Sequence, residues 1–280
     1  MTDRIERHEV LTAGPAQALA GLLGVPLPKL AIAGLPALWH WVYLLDRPPQ
    51  ADLGADGHPV RGVVPVPPQQ PGLRRMWAGG QVRTLGRLRI GLEATRVSTV
   101  TNTETKTGRS GRMTFVTVHH EVRQSGQVCV QELQHIVYRD PPAPDHVAPV
   151  GDPVAGSVGE APAGQPGDWE LDTSSTLLAR YSALTYNGHR IHYDRDFARD
   201  VEGYPGLLVH GPLQAVAMAE AARRLDGGRV RAVTFDYRLV APLFDHQGMI
   251  VRADGDEATD GISTSVRDRS GRPTATGRYH

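Results

Sequence analysis

The chain has 280 residues, with 30 Lys+Arg against 30 Asp+Glu, so its formal charge is zero. A nucleic-acid partner would favour a basic face, and nothing in this balance suggests one. One cysteine, Cys129, excludes an intrachain disulfide and a CxxC metal site, and 40% hydrophobic residues suffice for one large domain or two ordinary ones.

From the start, MTDRIERHEVLTAG mixes charges and lacks the basic-then-apolar order of a secretory signal. AQALAGLLG can form a helix, and LPALWHWVYLL a short buried one. Gly34, Pro36 and His40 break this most apolar region, which stays below the roughly 18–20 residues of a membrane span. A cytoplasmic protein is the simplest expectation. Strands are predicted over VRTLGRLRIGLEATRVSTVTNTE, RMTFVTVHHEV and QVCVQELQHIVYRD, with turns at GRSGR and RQSGQ. Cys129 between Val128 and Val130 reads as a buried strand thiol. His119 and His120 alternate faces on a strand, so both cannot serve one metal; no metal site is expected.

Residues 141–168 are dense in Pro and Gly and predict an extended linker between a first domain, 1–140, and a second, 169–280. The second opens on a capped helix, with Asp172, Thr173 or Ser174 ahead of TLLARYSAL. The polar loop YNGHRIHYDRDF follows. HGPLQAVAMAEAARRLDGG then predicts a helix with Pro212 in its first turn and Asp226-Gly227-Gly228 at its end. Leu213, Val216, Ala217, Ala221 and Leu225 share one small-sided face of it. Val233, Phe235, Tyr237 and Leu239 alternate along a strand, and GMIVRA, ISTSVRD and RPTATGRY continue the series. Helix then antiparallel strands is an α+β pattern. The first half repeats it loosely, and VRQSGQV is echoed by VRDRSGRP.

YSALTYNGHRIHYDRDFA followed by EGYPGLLVHGPL resembles the hydratase motif of the MaoC-like enoyl-thioester hydratases and dehydratases, in the double-hot-dog branch of type 2 hydroxyacyl-thioester dehydratases and itaconyl-CoA and mesaconyl-C4-CoA hydratases. GLPALWHWVYLL, DGHPVRG and RRMWAGG are similar to that branch too. The resemblance implies an α+β double hot-dog fold, in which each half is a curled antiparallel sheet around a central helix. It also implies a lyase that reversibly adds water to an enoyl thioester, with an acyl-CoA as substrate and no further cofactor. A C4-dicarboxyl acyl-CoA is the expected acyl class, and a homodimer one compatible assembly. The first half carries no His-x-Asp step beside a His-Gly helix start, so its site is expected to be degenerate, serving to widen the acyl tunnel and supply CoA surface. The sequence departs from the general Asp-x-Asn-Pro-x-His pattern. Asn187 stands at the acidic position, His189 and Arg190 at the next two motif positions.

Hydration needs a base for water and donors for the charge growing on the thioester oxygen. His192, titrating near neutrality when unperturbed, is the expected base. Asn187 cannot take up a proton. It either orients the attacking water or simply forms the Asn-Gly turn. Asp194 either orients the imidazole or caps the following turn. Gly211, opening the long helix, is by the resemblance the oxyanion donor through its N–H, or only the N-cap before Pro212. Arg190 and Arg195 are candidates for a substrate carboxylate or CoA phosphates, and Arg74 and Arg75 for CoA. His210 and Tyr186 are expected against the substrate, while Trp39, His40 and Trp41 are expected to pack the interior. Two other functions fit the same elements. A thioesterase would use a helix carboxylate, Glu220; a non-catalytic binding module would explain Asn in place of Asp.

Overall fold

The computed structural model describes residues 4–60, 74–108, 111–139, 167–256 and 261–280. The expected linker lies outside them except for Gly167 and Asp168. Ten strands form one antiparallel sheet: β1 (Arg4–Val10), β2 (Arg74–Thr84), β3 (Glu93–Gly108), β4 (Gly111–Gln124), β5 (Gln127–Arg139), β6 (Trp169–Leu171), β7 (Val233–Leu239), β8 (Met249–Asp256), β9 (Gly261–Arg267) and β10 (Pro273–Tyr279). Their spatial order is β1-β3-β4-β5-β2-β7-β10-β9-β8-β6. Split at β2–β7, the order in one half is the mirror of the other: first, third, fourth, fifth and second strand. Matching order about a central seam is what tandem duplication produces, and the sheet is that of a double hot-dog.

The seam is closed by side chains as well as backbone. Trp77 Nε1 donates to the Tyr237 hydroxyl at 2.8 Å, and Gln81 Nε2 to Asp236 Oδ1 at 2.8 Å. Helix α1 (Ala13–Leu23) packs against α3 (Ser175–Leu184), a second tie between the halves. Between α1 and β2 come only the four-residue α2 (Leu30–Ala33) and two 3-10 turns among the described residues.

Helix α4 (Gly211–Leu225) fills the curl of the second half. Every residue from Leu213 to Glu220 is buried, so the helix is enclosed around its circumference, not along a stripe. Alanines at 215, 217 and 219 let the strands approach closely enough to surround it. Leu225 does not join the apolar face and is 53% exposed at the frayed end. Ser174 is the residue that caps α3, and Pro212 and Asp226 take the positions expected at the ends of α4.

Three expectations differ. The predicted helix in LPALWHWVYLL is a 3-10 turn, Trp39–Val42, preceded by Leu38 at a positive φ of 65°. The single long strand from Val82 to Glu104 is two, separated by a loop whose Leu88 is buried. Strand β1, written RIERHEV, was masked by its charges; it is an edge strand with exposed and half-exposed residues alternating, where charge is tolerated. Among the described residues no helix is long and apolar enough to cross a membrane.

Candidate active site

A cavity of about 660 Å³ lies between the halves. Its walls come from the polar loop of the second half, the start of α4, and the inner face of the first half's strands. In the first half the cavity occupies the side of the sheet corresponding to that covered by α4 in the second.

His192 sits on a single 3-10 turn, Arg190–His192, and is buried. Its Nδ1 donates to the Leu208 carbonyl at 2.7 Å. That bond fixes the tautomer, so Nε2 carries the lone pair. Burial first of all, with the charge of His58 adding to it and the Leu208 bond opposing, lowers the imidazole pKa to about 4. The ring is therefore neutral at physiological pH and able to accept a proton. The segment that receives it is clamped in turn: Leu208 N donates to Ile191 O, and Val209 N to Leu243 O.

His210 stacks on His192 with centroids 3.7 Å apart and planes 18° apart. Its Nε2 meets Ser182 Oγ at 2.9 Å, and its Nδ1 is buried without a partner. It stays well below the usual histidine range through burial and the neighbouring His192. Expected against the substrate, His210 is not among the cavity residues and lies behind His192 as its stacking partner. Gly211 begins α4, where the N–H lies in the unpaired first turn. A Cβ there would sit 2.2 Å from Leu239 Cδ1, so a larger residue would require the Leu239 side chain to move. Gly211 lines the cavity with Asn187 and Tyr186, the last 55% exposed at its mouth with φ of 52°.

Asn187 shows the turn role directly: its Oδ1 accepts from His189 N at 3.0 Å. It also lines the cavity, so its amide NH2 is in position to meet a water. Asp194 is the capping residue. Its Oδ1 accepts from Phe197 N at 3.0 Å, its Oδ2 takes two bonds from Arg190, and the Leu208 carbonyl occupies the Nδ1 of His192 in its place. Those bonds, the Phe197 N–H first and then Arg190, lower its carboxyl pKa. Asp194 thus neither lines the cavity nor orients the imidazole.

Arg190 is likewise committed. It pairs with Asp194, donates to the Ala55 carbonyl at 3.0 Å and lies 4.1 Å from the Phe197 ring centroid. Arg195 pairs with Asp245. Neither is among the cavity residues. The cations there come from the first half: Arg74, Arg75, Arg96 and Arg139. Arg74 is held by Glu202 at 2.9 Å and Arg96 by Asp46 at 3.0 Å. Among the described residues Arg75 has no side-chain hydrogen bond or ion pair, and its charge acts on His58 and His189. Glu220 is fully buried on α4, bound to Arg223 at 2.6 and 2.9 Å, and outside the cavity. This removes the carboxylate that the thioesterase alternative required.

His40 and Trp41, expected in the interior, are cavity walls. Both reach Glu132 Oε2, at 3.1 and 2.9 Å. Burial would raise the Glu132 pKa, but the His40 bond and the charge of His120, with the Trp41 N–H, outweigh it and lower it. Beside them Ser98, His120 and Gln134 form a buried chain at 2.7 and 3.1 Å, with only His120 of the His119-His120 pair turned inward. Period-two alternation of His120 and Val122, and of Glu132 and Gln134, is the sequence signal of this polar face.

One loop of the first half reaches the centre of the site. His58 lies with its ring centroid 3.9 Å from that of His189, which meets His192 edge-on at 5.4 Å. Asp56 Oδ2 is 3.4 Å from His58 Nδ1. Nitrogen and oxygen atoms of Asp56, His58 and His189 fall within 4.8 Å of one another. The two rings are tilted by 36° to each other.

Residues 38–245 match the family of type 2 hydroxyacyl-thioester dehydratases. The mesaconyl-C(4)-CoA hydratase of Chloroflexus aurantiacus is 44% identical over 239 residues, 82% of this chain and 79% of that protein. The mitochondrial type 2 hydroxyacyl-thioester dehydratase of Schizosaccharomyces pombe is 34% identical over 80 residues, 28% of this chain and 27% of that one. A MaoC-like dehydratase from Phytophthora capsici superposes with a TM-score of 0.68 at 14% identity, covering 99% of this chain and 94% of that one. HtdX of Mycobacterium tuberculosis gives 0.65 at 13%, covering 100% and 99%. The structural matches carry the double hot-dog fold, and the sequence match spans most of the chain, including the loop that holds His192. The chain belongs to the type 2 hydroxyacyl-thioester dehydratase family.

Proposed function

We propose that this hydratase acts on a short acyl-CoA carrying a second carboxylate, of the mesaconyl-C4 or itaconyl kind. The single observation that carries the chemistry is the bond from His192 Nδ1 to the Leu208 carbonyl, which leaves Nε2 as a neutral base beside the start of α4. Water held between that nitrogen and the Asn187 amide attacks the β-carbon. As the C–O bond forms, His192 Nε2 takes the proton, and the C=C pair moves onto the thioester. The charge growing on the thioester oxygen meets the Gly211 N–H and the positive end of α4. The reaction so drawn needs no cofactor beyond the thioester.

The cavity supports the acyl class. Part of its wall carries Arg96, His120, Glu132 and Gln134, which an apolar tail laid against them would leave unsatisfied. The uncommitted guanidinium of Arg75 suits a carboxylate beside the β-carbon. The mesaconyl ester handled by the Chloroflexus relative has such a group.

The test is loss of enoyl absorbance with mesaconyl-C4-CoA, itaconyl-CoA, crotonyl-CoA and a long-chain enoyl-CoA. Turnover of the dicarboxyl esters is expected to exceed that of the long chain. His192→Ala should lower kcat by about 10²-fold or more. Preference for the long chain, or a fully active His192→Ala, defeats the reading.

A further inference from the structure

Hydration moves two protons, and the site as described so far accounts for one. Asn187 cannot carry the other, and Asp194 is turned away from the cavity. Two cavity histidines have a carboxylate behind them, His40 with Glu132 and His58 with Asp56; the one joined to His192 by ring contacts, through His189, is His58, from the Asp56-Gly57-His58-Pro59 loop of the first half.

That loop is built against the catalytic turn. Leu53 bridges Pro59, Gly54 N donates to His58 O at 2.7 Å, and Val60 N to Asp52 O at 2.7 Å. Asp56 Oδ1 accepts from His58 N at 2.9 Å. The Asp56 carbonyl then accepts from Arg190 N at 2.8 Å, and Ala55 O from the Arg190 side chain. Two glycines touch where the loops cross: a Cβ on Gly57 would lie 1.9 Å from Gly188 O. So many ties across the two halves fix the His58 ring on His189 and in the cavity wall. Asp56 on Nδ1 leaves Nε2 for the substrate.

We propose that His58, held by Asp56, is the group that exchanges the α-carbon proton, with His192 serving the water. The assignment rests on the hydratase reading above. The two imidazoles work with one proton between them. Hydration begins with it on His58. Water oxygen bonds to the β-carbon while His192 Nε2 removes a proton from it. The C=C pair passes to the thioester, and the α-carbon takes the proton from His58 Nε2. The hydroxyacyl thioester forms with His58 neutral and His192 protonated; the proton returns to His58 before the next turnover. Dehydration is the same sequence reversed, with neutral His58 removing the α-proton. Burial is the largest influence on His58 and lowers its pKa; Asp56 opposes that and favours the charged form, and Arg75 disfavours it.

The experiment compares wild type, His58→Gln and Asp56→Asn with mesaconyl-C4-CoA and crotonyl-CoA, with melting temperature as the check on folding. His58→Gln is expected to lose about 10²-fold or more in kcat on both esters with KM little changed. Added imidazole should restore part of that activity. Asp56→Asn should move the alkaline limb of the hydration pH profile to lower pH, since His58 then gives up its proton more readily. A His58→Gln enzyme with wild-type kcat overturns the assignment, as does a loss confined to KM or one that imidazole cannot relieve while Asp56→Asn leaves the profile in place. Wild-type protein inert toward every enoyl ester would overturn the hydratase reading, and this inference with it.

Discussion

At the scale of single residues, the site turns on which polar groups are already committed. Arg190 and Arg75 make the contrast. Arg190 stands in the motif and invites assignment to the substrate, yet its charge is consumed by Asp194 and the Ala55 carbonyl. Arg75, in a strand of the other half, keeps its charge for the cavity. Arg75→Met is therefore expected to lower kcat/KM for mesaconyl-C4-CoA by about 10- to 100-fold, the worth of a charged hydrogen bond, with a much smaller effect on crotonyl-CoA. Arg190→Ala should instead lower the melting temperature without shifting the preference between the two esters. Kinetics with both substrates check this, and an Arg75→Met enzyme whose preference is unchanged removes Arg75 from carboxylate binding. The motif itself exposed His192, Asn187 and Gly211, because a histidine near a His-Gly helix start is a local pattern. The commitments of Arg190, Asp194 and Glu220 were legible only in part, since their partners run from neighbours in the sequence to the Ala55 carbonyl, which the fold alone supplies. The nearest of these partners, at i+3 and i+4, could have been suspected from spacing alone.

At the scale of elements, the catalytic turn and the loop before Val60 behave as one part. Neither has repeating hydrogen bonds to hold it; each is shaped by the other. Glycine at 57 is required twice over, by a φ of 82° and by the carbonyl of Gly188. Gly57→Ala should force the loops apart, costing about 1–3 kcal/mol and lowering kcat as His58 moves from His189. Gly126→Ala is the control: its φ of 78° carries the same backbone penalty, but nothing lies within 4 Å of the added methyl and the turn is remote from the cavity. Equal losses of activity in the two variants would show that backbone strain, not loop contact, matters. Helix α4 was readable from Pro212 at its start and Asp226-Gly227-Gly228 at its end, and β7 from its two-residue alternation, although burial along 213–220 runs all round the helix. The loop 52–60 was not, because its order comes from contacts more than a hundred residues away.

For the whole molecule, the duplicated strand order explains why a half with no catalytic motif belongs in the enzyme. Two equivalent halves would each need a helix in the curl of the sheet. Here α4 keeps that place in the second half, and the first leaves room for a cavity faced by β3, β4 and β5. The echo between VRQSGQV and VRDRSGRP gave a hint of this, but composition could not tell that, among the described residues, the long enclosed helix belongs to the second half. Separating the halves would strip β7 of its partner β2 and expose a strand edge whose Tyr237 and Asp236 bond across the seam. It would also remove Asp56, His58, Arg75 and the polar face around Glu132. A fragment of residues 160–280 is therefore expected to aggregate through the free edge or, if recovered, to show no hydratase activity. Soluble expression followed by the enoyl-absorbance assay checks this. Activity in that fragment comparable with the full chain would mean that His192 and Gly211 suffice, and that the loop of the first half is only a wall.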